Sequence, residues 1–147
     1  MFEQPKEVPE NFADDHDAEV NAGLKHGRLL GDLFAVMTDN KLKPVVLPQG
    51  KGAILCGYVY GFADVLCQDL GNERDGAASV SALVAALKVV APLSSKTLID
   101  RFLMGGESPL EFEQGMLEGA TAANAWLKNE AWPASLREIV TILVKPA

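Results

Sequence analysis

One carboxylate lies in the most apolar part of this 147-residue chain. Asp64 sits between Ala63 and Val65 in GAILCGYVYGFADVLCQDLG, residues 52–71. An acid in such surroundings must be paired, hydrogen-bonded or protonated. The two tyrosines of the chain, Tyr58 and Tyr60, precede it by six and four residues. Asp64, Tyr58 and Tyr60 therefore form the first candidate ligand-binding set. In the structural alternative, Asp64 holds a tyrosine hydroxyl or an arginine and binds nothing else. Lys51 is the fourth candidate. It stands between Gly50 and Gly52, just before the same apolar stretch, and glycine amides, a lysine and a helix N-terminus together can hold an anion. The competing reading of QGKG is a turn, because the P-loop spacing is absent.

Other chemistry finds no constellation. The sequence contains no HExxH, GxSxG, CxxC or GxGxxG pattern, so no catalytic nucleophile with a positioned base can be named. His16 and His26 are the only histidines, and their spacing matches no zinc motif. Asp14, Asp15, Asp17 and Glu19 flank His16, but adjacent residues on a helix point in different directions. Cys56 and Cys67 would lie about 16 Å apart along one helix axis, beyond the reach of a disulfide. The expectation is no metal, no cofactor, two buried thiols and no catalytic activity.

Charge narrows the partners. The formal net charge is −7, and residues 1–19 carry most of it: Glu3, Glu7, Glu10, Asp14, Asp15, Asp17 and Glu19 stand against Lys6 alone. The remainder is nearly balanced, so a basic nucleic-acid face is not expected. The start, MFEQPKEVPENF, is polar and carries Pro5 and Pro9. It reads as no signal peptide, and the expected location is cytoplasmic. Residues 1–12 read as an acidic arm, either a solvated lead-in or a docking element for a basic partner. Residues 13–147 read as one helical domain.

The elements that must position these residues follow from apolar periodicity. Leu55, Tyr58, Phe62 and Val65 recur at helical steps, and Cys56, Tyr60, Ala63 and Cys67 form an adjacent row. Two rows predict a helix over about 53–71, buried on most sides. Asp64 and Asp69 would lie in lipid if it spanned a membrane, so no membrane role is expected. Val20, Leu24, Leu30, Phe34 and Met37 mark the inner face of a first helix over about 14–39. PVVLP, residues 44–48, reads as a short extended piece across the helices. AASVSALVAALKVVA makes a third helix stopped by Pro92, and Ser94 or Ser95 can cap a fourth, KTLIDRFL. Ser108-Pro109-Leu110-Glu111 has the form of a capping box and opens a fifth helix, to about Asn129. Its inner row is Phe112, Met116, Gly119, Ala123 and Trp126 or Leu127. Residues 134–144 suit a helix start after Pro133, although IVTILV is β-branched enough for a strand.

Seven glycines fall at four-residue spacing inside these helices: Gly23, Gly27 and Gly31; Gly57 and Gly61; Gly115 and Gly119. Each costs about 1 kcal/mol relative to alanine. Close backbone approach between helices, where a Cβ would clash, is the simplest compensation.

The run Cys56-Gly57-Tyr58-Val59-Tyr60-Gly61-Phe62-Ala63-Asp64-Val65-Leu66 resembles the GYxxGxADAL helix of small helical immunity proteins that neutralise type VI secretion amidases. The resemblance covers eleven residues and implies a core helix of a toxin-binding domain. The reading as a whole is all-α: a bundle of five to six helices with a central buried helix and glycine-mediated packing. The leading function is a non-catalytic protein-binding module of regulatory, immunity or adaptor type. One alternative is a small-molecule or anion-binding protein, an enzyme included, with its pocket near Asp64. The other is a structural homo-oligomer subunit.

Overall fold

The computed structural model describes residues 10–105, 109–128 and 143. Among these the chain is helical and contains no strand. Five helices follow in order: α1 (Glu10–Met37), α2 (Gln49–Asp69), α3 (Ala77–Val90), α4 (Pro92–Met104) and α5 (Pro109–Leu127). The expected capping residue Ser108 and the segment 134–144 lie outside the described residues. α1 begins at Glu10, so it includes residues that the sequence reading gives to the arm. No helix of the described residues is long and apolar enough to cross a membrane.

α2 is the centre of the bundle and touches each of the other four helices. Its residues from Leu55 to Asp64 form an unbroken buried run. Tyr58, Val59 and Phe62 are fully enclosed. Phe34 of α1 meets Tyr58 and Phe62 edge-on, with ring centroids 6.0 and 5.1 Å apart. On another side of α2, Tyr60 packs on Phe102 of α4 and Phe112 of α5, at 5.0 and 6.2 Å. The aromatic residues thus tie α2 to three neighbours at once, and such pairs favour tilted and edge-to-face geometry.

The glycine rows make two helix pairs. A Cβ added at Gly23 or Gly27 would collide with the backbone of Ala78 or Ala82 on α3, and Gly31 faces Ala86 and Val89. Gly57 and Gly61 lie against the backbone at Phe112 and Met116 of α5; Gly115 and Gly119 return the contact against Ile54 and Tyr58. The glycine cost is therefore offset by backbone-to-backbone approach. In both pairs the partner positions rise together in number, so α1 runs parallel to α3 and α2 parallel to α5. Parallel neighbours cannot be joined by a tight turn; α2 intervenes between α1 and α3, and α3 and α4 between α2 and α5.

The joints have local causes. Asp39 and Asn40 take left-handed conformations beyond α1, and the Asn40 amide donates to Ala35 O at 2.8 Å. The extended piece 45–48 is held to α4 by Ser94: the Leu47 amide donates to Ser94 Oγ at 2.9 Å, and that hydroxyl donates to Val45 O at 3.3 Å. The sequence reading gave Ser94 or Ser95 a capping role. Instead α4 starts earlier, with Pro92 in its first turn. Proline fits there because its missing amide is not needed, and it forces Ala91 out of the helical region. α4 ends at Gly105, whose φ of +70° suits glycine.

Candidate functional site

Asp64 is buried at 8% exposure, on the side of α2 that faces the turn into α3. Its Oδ1 accepts from the Ser79 hydroxyl at 2.6 Å and from the Asp75 amide at 2.8 Å. Its Oδ2 accepts from Gln68 Nε2 at 3.1 Å. Three donors from the chain itself replace the water that this buried carboxylate gives up. The hydroxyl that reaches Asp64 is Ser79 and not a tyrosine. Ser79 is one of two serines in a mostly apolar helix, and only the fold directs it rather than Ser81 at Asp64.

Tyr60 joins the same network one step removed. Its hydroxyl donates to Asp75 Oδ1 at 2.7 Å, while the Asp75 amide donates to Asp64. Burial, then the hydrogen bond to Asp75 and the nearby carboxylates, push the Tyr60 phenol well above its ordinary range. It is held as a neutral donor. Asp75 has a φ of 55°, a conformation uncommon outside glycine, and these two hydrogen bonds hold it there. Cys67 lies beside the network, buried, and burial raises its thiol pKa against the opposing effect of the Ser79 hydroxyl. A buried protonated thiol is a poor nucleophile.

Tyr58 and Lys51 are not part of this cluster. Tyr58 is two residues from Tyr60, which turns it by about 200° around the helix, and it faces Phe34 and Phe62. Lys51 stands in the first turn of α2, at the opposite end from Asp64. QGKG is helical rather than a turn, and α2 has no side-chain cap at Pro48. The fold thus brings Asp64 and Tyr60 together and leaves Tyr58 and Lys51 elsewhere. Among the described residues no three His, Cys, Asp or Glu side chains converge as a metal site.

A second feature was not anticipated: an apolar groove of about 240 Å³ where α1, α2 and α5 meet. Leu29 and Leu33 form the α1 wall, with Phe62 and Leu66 from α2 and Leu70 from its C-cap. Trp126 and Leu127 close it from the end of α5. Leu29 and Leu70 are 59% and 56% exposed, although both are large and apolar. The sequence reading ends the inner row of the fifth helix at Trp126 or Leu127. Both are partly exposed, at 39% and 37%, and line the groove instead of filling the core. The signal in the sequence was a second apolar row on α1, Leu29, Leu33 and Val36, beside the row that fills the core.

Comparison with known proteins adds no relative: no family model, curated protein or solved structure matches the chain.

Proposed function

We propose that this chain is a non-catalytic protein-binding domain of regulatory, immunity or adaptor type, and that the α1–α2–α5 groove is its binding surface. The observation that carries the reading is the exposure of large apolar side chains around one concavity. Such patches on soluble domains mark interaction sites. The carboxylate that best suited small-molecule chemistry already accepts three hydrogen bonds from the protein itself. That favours partner binding over a ligand pocket at Asp64. The eleven-residue resemblance points the same way.

The test is differential capture from the native host with wild type, Leu29→Glu, Leu70→Glu and the remote control Leu117→Glu. Leu117 is 70% exposed on α5 and does not line the groove. A partner retained by wild type and control, lost from both groove variants, and rebinding as a purified protein supports the reading. A partner that binds all four proteins alike places binding elsewhere. A wild-type protein that self-associates in light scattering, with the groove variants monomeric, replaces it with the homo-oligomer reading.

A further inference from the structure

We infer that Asp75–Gly76 is a site of spontaneous isomerisation to isoaspartate, and that the Tyr60 hydroxyl restrains the reaction in the folded protein. The chemistry needs only an aspartate side chain and the amide nitrogen of the next residue. That nitrogen attacks the Asp75 carboxyl carbon and a C–N bond forms. The nitrogen gives up its proton, and a carboxyl oxygen leaves as water. The product is a five-membered succinimide. Water then opens the ring at either carbonyl and returns aspartate or isoaspartate. The net change is an isomerisation that consumes no oxidant or reductant. Glycine leaves its nitrogen least hindered, because it has no Cβ. Asp75–Gly76 is the one Asp-Gly pair of the chain, and no Asn-Gly pair occurs.

The turn between α2 and α3 supplies both the exposure and the restraint. The Asp75 side chain is 60% exposed, so water reaches it for the second step. Gly76 follows in an extended conformation as the N-cap residue of α3. Both reacting groups are nevertheless held. Asp75 Oδ1 accepts from the Tyr60 hydroxyl at 2.7 Å, and the Gly76 amide donates to Glu73 O at 3.2 Å. The Asp75 amide is itself fixed on Asp64. Attack requires the Gly76 nitrogen to leave Glu73 and the carboxyl carbon to turn toward it, away from Tyr60. Tyr60 is buried on α2 and packed on Phe102 and Phe112, so its hydroxyl is fixed in place. Arg74 Nε lies 3.7 Å from Asp75 Oδ2, but that pair is exposed and holds weakly. Isoaspartate inserts a methylene into the main chain and leaves its free carboxylate directly on Cα. The group that meets Tyr60 then moves, and the α2–α3 turn loses a clip beside Asp64.

Aged samples of the full chain test this by peptide mapping with electron-transfer fragmentation, which distinguishes isoaspartate from aspartate at equal mass. Wild type, Tyr60→Phe and Gly61→Ala are incubated folded in mildly acidic buffer, with circular dichroism to establish the fold, and wild type also in urea. Expected is isoaspartate at residue 75 ahead of every other aspartate, forming faster in urea than in the folded protein. Tyr60→Phe keeps the ring and removes the hydroxyl. It should raise the folded-state rate about two- to tenfold, the factor that one hydrogen bond is worth. Gly61→Ala disturbs the contact with α5 and leaves the Tyr60–Asp75 bond in place, so its rate should stay near wild type. Isoaspartate arising first at another aspartate overturns the site. Equal rates for wild type in urea and in buffer, or for Tyr60→Phe and wild type, overturn the restraint. A Gly61→Ala rate as high as that of Tyr60→Phe overturns it too, because general loosening then suffices.

Discussion

Substituting Asp64 removes the acceptor of three hydrogen bonds at once and leaves the Ser79 hydroxyl and the Asp75 amide without it. Asp64→Ala should cost about 1–3 kcal/mol for each buried donor left unsatisfied. Asp64→Asn should cost less, since its carbonyl oxygen can still accept from Ser79 and Asp75. Urea denaturation of both variants checks the order; equal stability of wild type and Asp64→Ala would remove the acid from any structural role. Tyr60 makes a separate prediction through its raised pKa. A group whose pKa is raised by folding stabilises fully below its unfolded value, about 10 for a phenol. That contribution is lost as pH climbs from there through the folded value. Unfolding free energy should therefore fall above pH ~10, and Tyr60→Phe should flatten that fall. An unchanged alkaline slope in Tyr60→Phe would show that its phenol is not the group responsible.

At the scale of elements, the two parallel pairs depend on what is missing from their glycines. Gly61→Ala puts a methyl group against the Met116 backbone, and Gly27→Ala puts one against Ala82. Backbone cannot swing away as a flexible side chain can, so each should destabilise by at least ~1–3 kcal/mol. Gly50 is the internal control. It lies in the same helix as Gly61, yet an added Cβ there meets nothing within 4 Å. Gly50→Ala should stabilise, by up to ~1 kcal/mol, through helix propensity alone. Melting of the three variants checks the contrast in sign. If Gly50→Ala and Gly61→Ala shift the midpoint in the same direction, backbone approach is not what keeps glycine at 61.

At the scale of the molecule, α2 contacts every other described helix and holds the longest buried run among the described residues. Opening it therefore requires both helix pairs to separate. Amides from Leu55 to Asp64 should exchange only through global unfolding, more slowly than those of α4, whose outer side is solvated. Hydrogen-exchange mass spectrometry resolves this; protection in α2 no greater than in α4 would contradict the central role of α2. Of the acids at the N-terminus, residues 1–9 carry only Glu3 and Glu7, with Lys6 and few apolar groups, so removing them should change stability by less than ~0.5 kcal/mol. A larger loss would mean that the arm packs on the fold.

The sequence by itself determined the helices and their glycine rows, because both are short-range properties. Apolar spacing sets which face of α2 is buried, and four-residue glycine spacing admits few uses inside a helix. It also marked Asp64 as an acid that needs partners. Only the tertiary structure decided which partners: Ser79 and Asp75 lie fifteen and eleven residues away and reach Asp64 because the turn into α3 folds back on α2. It separated Tyr58 from Tyr60, since two residues on a helix rotate a side chain to another face. It also paired Gly23 with Ala78 and Gly57 with Phe112, a choice among helices that no local pattern encodes. The groove belongs mostly to this level, the second apolar row on α1 being its one trace in the sequence. Leu29, Leu70 and Trp126 are each ordinary apolar residues in their own helices, and their exposure follows from where three helices fail to cover one another.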